Sequence, residues 1–162
     1  MIRCVTELIG KLLFMKHAEL AEKECAIART WAVIGERWTM MILREFFRGA
    51  RRFEDIEAKL QLGRNTLADR LQMLVSEGIL EQRPYQDRPV RFEYVLTSKG
   101  EDLYPVVLAM LRWGNRYKVD EPPLQLMHKT CGHVIDPVTV CDGCKEEIRR
   151  RDLRAYFAED AW

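Results

Sequence analysis

The stretch from 62 to 80, Leu-Gly-Arg-Asn-Thr-Leu-Ala-Asp-Arg-Leu-Gln-Met-Leu-Val-Ser-Glu-Gly-Ile-Leu, constrains the fold more than any other part of the chain. Leu67, Leu71, Leu74 and Val75 recur at helical spacing, so one face should be buried while Arg64, Asn65, Thr66, Asp69 and Arg70 project from the first turns. Gly78 can take the positive φ that ends helices, and Ile79-Leu80 then opens a new apolar run. A helix with a dry side and a polar leading edge is suited to reading a polar surface.

Its neighbours say which surface. Upstream, two helices are expected over 26–34 and 38–47, broken at Gly35, with Trp31, Ile34, Trp38, Met41, Ile42 and Phe46 facing a core. Phe53, Ile56 and Leu60 mark a third helix, 52–60, and Gln61-Leu62-Gly63 is a tight turn into the next. Two short helices so spaced form a helix-turn-helix, whose second helix enters the major groove of DNA. Downstream, 79–85 and 90–97 are β-rich runs joined by Gln86-Asp-Arg-Pro, a hairpin flanked by Arg83, Arg88 and Arg91 that can set guanidinium groups against phosphates or in a minor groove. Arg64, Asn65 and Thr66, with Asp69 beside them, are therefore expected at base edges. Arg70 is expected against a phosphate, and Arg51, Arg52, Arg88 and Arg91 supply salt-sensitive attraction.

Ser98 and Glu101 are spaced as a capping box for a helix running to about 117, which Pro105 should kink. Its apolar surface, Leu103, Val106, Val107, Met110, Leu111 and Trp113, suits a dimer contact, or it covers its own domain. After the linker Asp120-Glu-Pro-Pro, His128-x-x-Cys131 and Cys141-x-x-Cys144 bracket 132–140, where Val134, Ile135, Val138 and Val140 suggest a short hairpin. That is the layout of a zinc ribbon, with His128, Cys131, Cys141 and Cys144 as tetrahedral ligands of a structural Zn2+. His133 competes with His128, and the alternative is an unmetallated hairpin with reduced cysteines. The Arg-rich segment 145–156 reads as a solvated helix. At the other end, 2–24 forms an amphipathic helix through Val5, Leu8, Ile9, Leu12, Leu13 and Leu20, unless translation begins at Met15 and 1–14 are dispensable.

With 162 residues, 48% of them hydrophobic, the chain can build one core and an appendage. A net charge of +1 leaves any DNA-binding surface to local segregation of charge. No apolar run reaches the roughly 20 residues that cross a bilayer, and no secretory signal opens the chain, so a cytoplasmic protein without membrane contact is expected. Cys4, Cys25, Cys131, Cys141 and Cys144 are an odd set, suited to reduced thiols or metal ligands. No Ser/His/Asp or paired-carboxylate arrangement can be assembled, which excludes an enzyme.

The residues Val33-Ile-Gly-Glu-Arg-Trp-Thr-Met-Met-Ile-Leu-Arg44, Arg52-Phe-Glu-Asp-Ile, Arg64-Asn-Thr-Leu-Ala-Asp-Arg-Leu, Glu77-Gly-Ile-Leu, Phe92-Glu-Tyr-Val-Leu-Thr, Gly100 and Arg112-Trp-Gly, with Cys25 upstream, make 25–117 resemble the HxlR-type winged helix-turn-helix transcriptional regulators. The resemblance implies a cytoplasmic homodimer that binds double-stranded DNA at a pseudo-palindromic operator and represses or activates nearby genes. It implies that 64–77 is the recognition helix, that the hairpin near Arg88 is the wing, and that Cys25 senses quinones, aldehydes or oxidants, making an electrophile or small molecule the effector. A cysteine at a helix N-terminus gains thiolate character; were the first helix to run unbroken into Ala26, Cys25 would be an inert thiol.

The fold expected is mainly α with a small β-hairpin. An extension over 1–24 precedes a winged helix-turn-helix and dimerisation domain over 25–118, and 119–162 forms a small zinc-ribbon-like tail. A rival reading makes the winged helix a protein-interaction module with a metal-stabilised docking tail.

Overall fold

The computed structural model describes residues 17–156. The expected helix over 2–24 therefore lies mostly outside the described residues. What is described of it is α1, His17–Ala21, after which the chain turns before α2, Ala26–Ile34. Then follow α3 (Thr39–Phe47), α4 (Phe53–Leu60), α5 (Arg64–Ser76), the antiparallel hairpin β1 (Leu80–Asp87) and β2 (Val90–Leu96), α6 (Ser98–Glu101) and α7 (Tyr104–Tyr117). This is a winged helix-turn-helix. No helix among the described residues is long and apolar enough to cross a membrane.

The described chain divides into two compact units, 17–95 and 96–156. The expected boundary at 118 thus moves to the end of the wing. The reason is local: β2 pairs with β1 and closes back on the start of α4 through Tyr94 N–H to Arg51 C=O, 2.7 Å, which completes the first unit. In the second, Arg112 of α7 donates to Asp136 of the tail at 2.9 Å.

Among the described residues, every buried apolar side chain lies in the first unit. Ile42 and Leu43 of α3, Ile56 of α4, and Leu67, Leu71 and Leu74 of α5 are fully buried, joined by Ile34, Phe46, Leu62, Ile79 and Leu80. Burial of such side chains contributes about 1.5–3 kcal/mol each. Glu45 is buried among them on α3, with Arg44 at 2.6 Å, Arg48 at 3.5 Å and Lys59 of α4 at 3.7 Å. A buried carboxylate needs such partners, and here they link α3 to α4.

Trp31 departs from expectation, being exposed rather than inward. Its indole lies back over Gly35, where an added Cβ would sit 2.5 Å from the Trp31 carbonyl oxygen and 2.6 Å from the ring. Gly35 has an ordinary helical φ of −76°, so it ends α2 by permitting close approach rather than by positive φ.

The helix expected over 98–117 is two helices. Thr97, one residue before the expected cap, accepts the Gly100 N–H at 3.2 Å, and α6 stops at Glu101. Pro105 then lies in the first turn of α7, where its missing N–H has no helical acceptor to lose, so it starts a helix instead of kinking one. The tail has two hairpins in place of one, with bridges Met127–Val134 and Val140–Glu147, and each metal-type pair sits at a tip. Residues 145–156 contain a single 3-10 turn, Arg150–Asp152, rather than a helix, because their first residues pair with 139–141.

Candidate nucleic-acid interface

The helix-turn-helix is built by α4, the turn 61–63 and α5. The turn's positive φ falls on Gln61 (51°), while Gly63 is extended at −61°, and Leu62 between them is buried as the pin that fixes the angle between the helices. From Gly63 the chain enters α5 without a side-chain cap. The first-turn N–H groups, at the positive end of the helix dipole, are thus able to meet a phosphate.

Burying Leu67, Leu71 and Leu74 turns the opposite face of α5 to solvent, with Arg64, Asn65, Thr66 and Asp69 exposed on it. Asn65 and Thr66 form no side-chain hydrogen bond among the described residues, so their donors and acceptors are available to a base edge. Arg64 is held from behind: its guanidinium lies 3.3 Å from Glu57 Oε2 and 5.2 Å from the centre of the Phe53 ring, both on α4. An exposed ion pair of this kind contributes at most about 1 kcal/mol, so it orients Arg64 without competing strongly against DNA. Sequence reasoning marked Phe53 only as an apolar position of this helix and passed over Glu57, since nothing in the α4 pattern distinguishes either from ordinary amphipathic positions.

Arg70 is placed differently from its neighbours. Its side chain is 26% exposed and lies 3.8 Å from Glu36, in the turn between α2 and α3. It braces α5 against that turn. Arg51 faces Glu93 of β2 at 3.8 Å, and Arg52 stacks 4.5 Å from the Tyr85 ring of β1, so both arginines tie the entrance of α4 to the wing. At the wing's end Arg88 and Arg91 are exposed and have no acidic partner among the described residues. Since Arg44, Arg48 and Lys59 share Glu45, the least committed cations of the helix-turn-helix and wing are Arg88 and Arg91, followed by the loosely paired Arg64 and Arg51.

Cys25 lies at the N-cap of α2 in extended conformation, φ −126°, half-buried, with its carbonyl accepting the Arg29 N–H at 3.0 Å. The break after α1 sets it at a helix start and removes the mid-helix alternative. In the tail His128 Nδ1 lies 3.3 Å from Cys131 Sγ. Cys141 is held below the ordinary thiol range by hydrogen bonds from the backbone N–H groups of Cys144 and then Gly143, and from the Cys144 thiol. The two pairs are formed separately: no three His, Cys, Asp or Glu side chains converge on one point among the described residues.

A profile of the HxlR-like helix-turn-helix matches residues 33–122, more than half of the chain. The chain belongs to the HxlR-like helix-turn-helix family. Among similar proteins of this kind, an uncharacterised HTH-type transcriptional regulator of Mycobacterium tuberculosis is 42% identical over 130 residues, covering 79% of this chain and 82% of the relative. The crystal structure of PA1607, a candidate transcription factor, is 33% identical with a TM-score of 0.76 and spans 84% of this chain and 96% of that one. The redox regulator HypR in its reduced form is 30% identical with a TM-score of 0.53, over 57% of this chain and 95% of HypR, and it is also solved in an oxidised form. HxlR-like proteins are transcriptional regulators rather than enzymes, in keeping with a site made of an exposed helix and a basic hairpin.

Proposed function

We propose that the chain is a transcriptional repressor that binds an inverted-repeat operator in double-stranded DNA as a homodimer in the cytoplasm. The observation that carries this is α5: three fully buried leucines hold it in place while Arg64, Asn65 and Thr66 stand outward with Arg64 pre-oriented by Glu57 and Phe53. Arg64 pairs with guanine and Asn65 with adenine, Thr66 and Asp69 border the read bases, and the N-terminus of α5 together with Arg51, Arg88 and Arg91 takes phosphates. Arg52 and Arg70 hold the wing and α5 in position. The exposed stripe Val106, Met110, Trp113 and Tyr117 on α7 supports pairing with a second copy. A symmetric dimer then sets its two α5 helices about 34 Å apart, one turn of DNA.

The test is a gel-shift titration on operator fragments selected from genomic DNA. Arg64→Ala weakens specific binding roughly 5- to 150-fold, the equivalent of about 1–3 kcal/mol, and leaves non-specific binding and the dimer intact. Unchanged specific affinity would remove Arg64 from the reading face.

We further infer that Cys25 is the input. It stands half-buried at the N-cap of α2, and HypR, a redox regulator, is related. Cys25→Ser abolishes release from the operator by a quinone or hypochlorite in a reporter assay; a response equal to that of the parent protein assigns the sensing elsewhere.

A further inference from the structure

The tail contains one backbone unit used twice. His128-Lys-Thr-Cys131-Gly-His133 and Cys141-Asp-Gly-Cys144-Lys-Glu146 correspond residue for residue at a constant offset, and so do their hydrogen bonds. In the first, His128 N–H donates to the His133 carbonyl at 2.8 Å and Gly132 N–H to the His128 carbonyl at 2.8 Å. In the second, Cys141 N–H donates to the Glu146 carbonyl at 2.9 Å and Lys145 N–H to the Cys141 carbonyl at 2.9 Å. The fifth residue is left-handed in both, Gly132 at φ 69° and Lys145 at φ 64°. Outside the tips the match continues through Met127–Val134 and Val140–Glu147, then through Ile135 N–H to Leu126 and Ile148 N–H to Thr139, both 2.8 Å.

Three features of this unit point to a ligand. The fourth position is a thiol in both copies, Cys131 and Cys144, and the first carries a zinc-type ligand in both, the His128 imidazole and the Cys141 thiol. In the first tip the pair is already adjacent, with His128 Nδ1 3.3 Å from Cys131 Sγ. A lysine in left-handed conformation carries strain that Gly132 avoids, so the second copy holds its shape at a cost.

The surroundings supply the reason for a staple. None of the buried apolar side chains among the described residues lies in 96–156, so this unit has no hydrophobic core of its own, and small units in that position depend on disulfides or metals. Arg112 donates to Asp136 at 2.9 Å and lies 3.5 Å from Glu147, one carboxylate beside each hairpin, which brings both onto a single guanidinium.

We propose that His128, Cys131, Cys141 and Cys144 form a structural tetrahedral Zn2+ site, each hairpin giving one pair. Three thiolates and one imidazole select zinc over oxygen-preferring cations, and ligation releases the thiol protons. The repeat also decides between the two histidines: His133 corresponds to Glu146, across the tip from the ligand positions, so His128 is the ligand. Binding draws the two tips together onto one ion.

The whole chain, purified under reducing conditions without chelator, is expected to contain about one zinc per chain by elemental analysis. Replacement by Co2+ gives the intense visible bands of tetrahedral thiolate coordination. His128→Ala, Cys131→Ser and Cys144→Ser each lose these bands, and His133→Ala keeps them. Should a variant fail to fold, alkylation of the wild-type protein decides: zinc slows modification of Cys131, Cys141 and Cys144, and a chelator restores it. Absence of zinc with no Co2+ bands, equal alkylation with and without zinc, or loss of metal in His133→Ala but not in His128→Ala would each overturn the assignment. None of these readouts depends on DNA binding.

Discussion

Gly35 and Gly63 look alike in the sequence, each between two helices, yet the space around them is different. A Cβ at Gly35 meets the Trp31 backbone at 2.5 Å, whereas Gly63 has nothing within 4 Å and an unstrained φ. Gly35→Ala is therefore expected to destabilise by about 1–3 kcal/mol through forced repacking, and Gly63→Ala to stay within about 0.5 kcal/mol, both read by denaturant unfolding. Gln61 carries the left-handed geometry a glycine would be expected to carry in this turn. Relief of that strain makes Gln61→Gly neutral or stabilising by up to about 1 kcal/mol in the same assay, and a loss of more than that would show that the Gln61 side chain contributes something the φ value does not reveal. Periodicity marks residues by spacing and carries no information about which side chain folds back over which backbone. That is why Trp31 reads as core in the sequence and lies exposed in the structure.

At the scale of elements, α5 puts its buried leucines and the side chains proposed to read DNA on opposite faces. Its buried edge is a matter of stability: Leu71→Ala should cost about 2–5 kcal/mol by leaving a cavity in the core, and should weaken DNA binding only in step with unfolding. The role proposed for the wing is one of charge. Arg88→Ala is expected to leave stability unchanged and to lower the slope of log binding constant against log salt by roughly 0.9 for each phosphate contact removed, with operator preference retained. A change of preferred sequence in the Arg88→Ala protein would instead place that guanidinium in a groove. The boundaries of α2 and the extents of α4, α5 and the hairpin follow closely from apolar spacing and turn residues, because each is decided within a few residues of chain. The break between α6 and α7 escaped that reading. Both Thr97 and Ser98 can cap, and only the backbone path shows that Gly100 donates to Thr97 and that Pro105 begins the next helix.

For the molecule as a whole, the apolar stripe on α7 is the surface most in need of a partner, with Trp113 55% and Met110 54% exposed. The double substitution Met110→Glu, Trp113→Glu is expected to shift the protein to monomer in sedimentation velocity and to weaken operator binding, since each monomer then engages a half-site alone. A dimer that survives the substitution would place the contact on another face, with Ile27 and Trp31 of α2 as the next exposed apolar pair. The sequence by itself determined the helix-turn-helix, the basic hairpin after it and the residues standing outward on α5, because local periodicity and turn chemistry specify which face of a short element is dry. Tertiary structure alone decided how Arg64 is oriented by Glu57 and Phe53, that Arg70 is drawn to Glu36, and that the tail is two matched hairpins instead of one. Those outcomes depend on which distant backbones and side chains come within a few ångströms of one another, and spacing along the chain does not encode that distance.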